Sequence, residues 1–98
     1  MIRVKAYLSL FKNDMGRETP FISGYRPLFN FTPEMKVSGQ ITLLDRDKFY
    51  PGDEGVVLIF FLNDEYLGDN FQIGSKFTFC EGRDIIGMGE VIEVMGRD

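Results

Sequence analysis

IRVKAYLSLFK, residues 2–12, is the stretch on which the reading of the fold turns. Ile2, Val4, Ala6, Leu8 and Leu10 take every second position, and Arg3, Lys5, Tyr7 and Ser9 stand between them. Successive side chains of a strand point to opposite faces, so this alternation predicts a half-buried strand.

Outward from that stretch, MKVSGQITL at 35–43 repeats the pattern. Met35, Val37, Gly39, Ile41 and Leu43 share one face, and Lys36, Ser38, Gln40 and Thr42 the other. VVLIFFL at 56–62 is apolar throughout, which predicts a central strand covered on both faces. Phe71, Ile73, Phe77 and Phe79 predict two shorter aromatic strands interrupted at Gly74-Ser75. Ile85 to Met95 reads as a closing strand, in which Gly87 and Gly89 signal a bulge or the close approach of another backbone. Tyr50-Pro51-Gly52-Asp53 has the proline and glycine of a type II turn, and Cys80 to Asp84 reads as a hairpin loop. No segment sustains helical periodicity. Several short strands with regular turns predict a small antiparallel barrel or sandwich. The 98 residues allow one domain, 1–98, with no repeat or linker. A chain of this length buries about 60% of its unfolded surface, enough for one core.

Composition narrows the chemistry. Hydrophobic residues make up 44% and charged residues 27%, as in folded soluble domains. The net charge of −4 opposes nucleic acid as the sole partner, because phosphate contacts dominate such affinity. A single cysteine, Cys80, precludes an internal disulfide. With no apolar run of membrane length and no signal-peptide pattern, the expected location is the cytoplasm. The chain has no histidine, which removes the commonest general base and metal ligand.

The near misses are weak. Gly68 to Lys76, GDNFQIGSK, has five residues between its glycines and the lysine and serine reversed, so it does not meet the requirements of a phosphate-binding loop. The acidic groups Asp45-Arg46-Asp47, Asp53-Glu54, Asp64-Glu65 and Asp69 lack calcium-loop spacing and read as solvated turns. Cys80, Ser9, Ser23, Ser38 and Ser75 lack an activating base. The expectation is a non-enzyme with no catalytic residue, cofactor or metal.

One loop stands out. MGRETPFISGYRP, residues 15–27, joins two arginines and two prolines to aromatics. Pro20 and Pro27 bias Thr19 and Arg26 toward extended backbone. Phe21, Tyr25 and Phe29 can anchor the loop on the barrel while Arg17 and Arg26 project charge. Long ordered loops often carry function, so Phe21, Tyr25, Arg26, Leu28 and Phe29 form the candidate protein-interaction surface.

These residues also carry a resemblance. Gly16-Arg17-Glu18-Thr19-Pro20-Phe21 and Gly24-Tyr25-Arg26-Pro27-Leu28-Phe29-Asn30-Phe31 resemble the GGRHTPF and GYRPQFYF segments of the third, C-terminal domain of translation elongation factor Tu. Lys36 to Ile41 resembles that family's DVTGTI, Tyr50 to Asp53 its MPGD, and Lys76 to Val94 its closing strands. The resemblance runs in order along nearly the whole chain and implies a six-stranded antiparallel Greek-key β-barrel. Neither the GTPase domain nor the second barrel of that factor is present in these 98 residues, so it implies no GTP hydrolysis. The family barrel contacts the T stem of aminoacyl-tRNA, packs on the GTPase domain and meets exchange factor Ts. By resemblance, Arg17, Ser38 and Glu81 are the tRNA-binding candidates, with Arg26 and Arg83 beside them. The family's glutamine, histidine and arginine are replaced by Leu28, Glu18 and Cys80. The implied partner is therefore a protein: the factor's GTPase domain, exchange factor Ts or another protein that engages the factor. Aminoacyl-tRNA bound together with other chains is the alternative.

Overall fold

The computed structural model describes residues 1–12 and 18–97. Six strands follow in order: β1 (Ile2–Leu10), β2 (Leu28–Thr32), β3 (Met35–Leu43), β4 (Glu54–Phe61), β5 (Lys76–Glu81) and β6 (Asp84–Arg97). A 3₁₀ turn, Asp64–Leu67, lies between β4 and β5. Every pairing is antiparallel, and the order β1-β4-β3-β2-β5-β6 closes on itself. Strands β2, β3 and β4 are successive neighbours and β1 returns beside β4, which is a Greek-key path. The expected six-stranded barrel is therefore the observed one.

The alternation of β1 is realised at every position. Ile2, Val4, Ala6, Leu8 and Leu10 are buried, and the residues between them face outward. Strand β3 behaves likewise from Val37 to Leu43, while Met35 sits exposed at its start. Phe29 lies at the centre of the core, with the rings of Phe61, Phe77 and Phe79 at 5.2, 5.5 and 5.8 Å. Such contacts add to the area these rings bury.

Two close features follow from glycine. Gly52 has φ +93° in the Tyr50–Asp53 turn, where the Asp53 amide donates to the Tyr50 carbonyl at 2.9 Å, as the type II reading requires. A Cβ on Gly87 would stand 2.3 Å from the Phe79 ring and 2.4 Å from the Ser9 carbonyl oxygen. Only a residue without a side chain lets β1, β5 and β6 approach there.

The structure corrects three expectations. First, VVLIFFL is not covered on both faces. Val57, Ile59 and Phe61 are buried, whereas Val56, Leu58 and Phe60 point outward and are only half-buried. Second, Phe71 and Ile73 form no strand. The Gln72 amide donates to Ser75 Oγ at 2.9 Å and the Ser75 amide to the Gln72 carbonyl at 3.0 Å, which makes this segment a turn. Third, β2 follows directly on the loop at 15–27, where the alternation predicted no strand. At five residues, bracketed by Pro27 and Pro33, it is too short for its alternation to register.

Candidate interaction surface

The segment after residue 17 is built from its buried aromatics upward. Phe21 and Phe49 exchange two backbone hydrogen bonds, at 3.0 and 2.9 Å. Their rings stack at 5.1 Å, and Tyr25 stacks on Phe21 at 4.7 Å. The Gly24 amide donates to the Ile41 carbonyl at 2.8 Å, and the Ile41 amide to the Tyr25 carbonyl at 2.9 Å. Ser23 Oγ accepts from the Leu43 amide at 2.8 Å. The segment is thus stitched along β3 before it becomes β2. The Tyr25 hydroxyl reaches across to donate to the Glu81 carboxylate beside the β5–β6 hairpin.

This architecture sorts the expected site residues. Phe21 and Phe29 are 2% and 0% exposed, so they support the surface from beneath rather than form it. Tyr25 is half-buried. Arg26, Leu28, Ser38, Glu81 and Arg83 are exposed. Leu28 stands opposite Ser38 on β3 and Cys80 on β5. Arg26 Nη2 donates to Gln40 Oε1 at 3.0 Å. Arg26, Leu28 and Ser38 therefore share one outer face, with the Tyr25–Glu81 contact at its border. Arg17 lies outside the described residues.

The face includes groups that were not anticipated. Arg26, Ser38, Gln40, Phe60, Leu62 and Asn63 line a groove of about 110 Å³. Gln40 is the direct cross-strand neighbour of Phe60. Leu62, just past β4, is 56% exposed. The signal that could have found these residues was VVLIFFL itself. A strand has two faces, and a continuous apolar run places apolar side chains on both.

A second charged region sits around Arg46. Its guanidinium contacts Asp45 at 2.7 Å and Asp53 at 3.7 Å, and lies 4.9 Å above the Phe49 ring. Hydrogen bonding to Arg46 holds the Asp45 carboxyl below its ordinary pKa. The Tyr7 hydroxyl donates to Glu54 at 3.0 Å, and that bond pushes the phenol pKa up. These acids are satisfied by neighbours within the fold. Cys80 is buried, with Asn30 Nδ2 at 4.0 Å from its sulfur.

Among the described residues, no group of three histidine, cysteine or acidic side chains could hold a metal ion. No helix among them is long and apolar enough to cross a membrane. No known protein-family model matches the chain.

Proposed function

We propose that this chain is a non-catalytic protein-interaction module on a barrel resembling the third domain of elongation factor Tu. It would act as a regulator or decoy for proteins that bind that domain. The observation that carries the reading is the construction of residues 18–28. Buried rings and backbone bonds fix the segment to β3 and to Phe49, while Arg26 and Leu28 remain outward beside the groove. A preorganised surface of this kind lowers the ordering entropy of association. The replacement of a family glutamine by Leu28 favours apolar contact over polar RNA contact.

The test is calorimetric titration of the purified chain with the factor's GTPase domain and, separately, with exchange factor Ts. Saturable binding that weakens in a Leu28→Glu variant supports the reading. Absence of heat with both proteins at the highest soluble concentration overturns it. Binding to aminoacyl-tRNA that falls steeply with added salt would instead establish the RNA alternative, for which exposed Ser38 and Glu81 are the candidate contacts.

A further inference from the structure

Strand β4 carries more apolar surface than the core uses. Its inward residues are buried, yet Val56, Leu58 and Phe60 line the outside and Leu62 extends the same stripe. The neighbours of the stripe are cationic or polar. On β1, Arg3 is paired with Phe60 and Lys5 with Leu58. On β3, Gln40 is paired with Phe60 and Thr42 with Leu58, and Arg26 is hydrogen-bonded to that Gln40. In register, Phe60 thus lies between Arg3, whose guanidinium leans over Gly96 of β6, and the Arg26–Gln40 pair.

Among the described residues, no carboxylate makes a salt bridge with Arg3 or Arg26. The acidic groups bordering the stripe are engaged elsewhere or stand apart. Glu54 accepts from Tyr7, Asp64 meets the Met1 ammonium at 3.9 Å, and Glu93 stands across from Lys5. Two unneutralised guanidinium groups on one face of a chain with net charge −4 are a local reversal of sign.

We infer that the outer face of β4, between Arg3 and Arg26, is a docking surface for an acidic–apolar segment of a partner protein. Apolar side chains of that segment cover Leu58, Phe60 and Leu62, and its aspartates or glutamates meet the two arginines. This rests on the interaction-module reading and adds where the partner sits and what chemistry it presents. A second copy of this chain is the wrong occupant. Two-fold pairing of this face would set guanidinium against guanidinium, and like charges across an interface suppress association. RNA would satisfy the arginines but leave the aliphatic stripe uncovered.

The test follows backbone amide NMR shifts of the whole chain during titration with synthetic peptides. The first probe alternates leucine and glutamate, the second leucine and lysine, and the third serine and glutamate. The expected result is saturable shifts confined to the amides around Arg3, Arg26, Gln40 and Leu58 to Leu62, with the leucine–glutamate peptide only. Arg3→Gln and Arg26→Gln should each weaken binding about two- to fivefold, as exposed ion pairs do. Leu58→Thr should weaken it while leaving the rest of the spectrum in place. Equal binding of the lysine peptide, or no shift with any peptide, overturns the proposal. Shifts confined to β5 and β6 also overturn it, but leave the interaction-module reading standing. Displacement of the peptide by tRNA from this same face would overturn both.

Discussion

Strands β1 and β4 lie side by side in one barrel and send similar residues inward. Ile2, Val4, Ala6 and Leu8 of β1 are buried, as are Val57, Ile59 and Phe61 of β4. Their outer faces differ. β1 shows Arg3, Lys5, Tyr7 and Ser9 to solvent, while β4 shows Val56, Leu58 and Phe60. The core accounts for all of the apolar pattern in β1 and for only half of it in β4. On the docking proposal, this surplus, bordered in register by Arg3 and Lys5 of β1, is where the partner would sit.

The largest expected effect tests the inward half of that comparison. Ile59→Ala removes a fully buried side chain and should destabilise the barrel by about 2–5 kcal/mol in urea unfolding. A loss below about 1 kcal/mol would show that β4 is not a core strand on either face and would end the comparison. Next comes the strand on the far side of β1. Gly87→Ala forces a methyl group against the Phe79 ring and the Ser9 carbonyl, and should cost about 1–3 kcal/mol by the same assay. An unchanged midpoint would mean that β1 and β6 can move apart without penalty.

A smaller effect belongs to the segment that supports the surface. Ser23→Ala removes the acceptor for the Leu43 amide and should cost about 0.5–1.5 kcal/mol. Hydrogen exchange reads it locally, since the Leu43 amide should lose protection while amides in β1 keep theirs. Global loss of protection would mean that the segment is part of the core rather than a fixture on it.

Much of this was legible in the sequence, for physical reasons that differ by element. β1 and β3 were readable because one solvated face makes period two visible. The turn at Tyr50 to Asp53 was readable because Gly52 must take positive φ. β2 was hidden because five residues between prolines give too few alternations to count. Phe71 and Ile73 misled because an aromatic in a turn has the same composition as one in a strand, and only Gly68 and Gly74, both at positive φ, mark the difference. The surface was half legible. Arg26, Leu28 and Ser38 came from local motif and resemblance, and the barrel does bring them to one face. Phe60 and Leu62 were out of reach, since nothing local pairs Gln40 with Phe60. Phe21 and Phe29 were placed on the surface by reasoning from size alone, but size does not distinguish an anchor from a contact.

The smallest expected effect on stability decides the comparison. Leu58 is directly next to Ile59, but it faces outward between Lys5 and Thr42. Leu58→Thr keeps a β-favouring side chain on the strand and removes apolar surface only from the exposed face. Because Leu58 is half-buried, its effect on unfolding should stay within about 1 kcal/mol, well below that of Ile59→Ala. If instead Leu58→Thr costs as much as Ile59→Ala, the outer stripe is packing that holds the sheet together, and no partner is needed to explain it. If stability is kept while peptide binding falls, the two faces of β4 have separate physical reasons for being apolar. The inward face then exists for the fold and the outward face for the partner. A single residue step along the strand would separate the two, because period two places neighbours on opposite sides of the sheet.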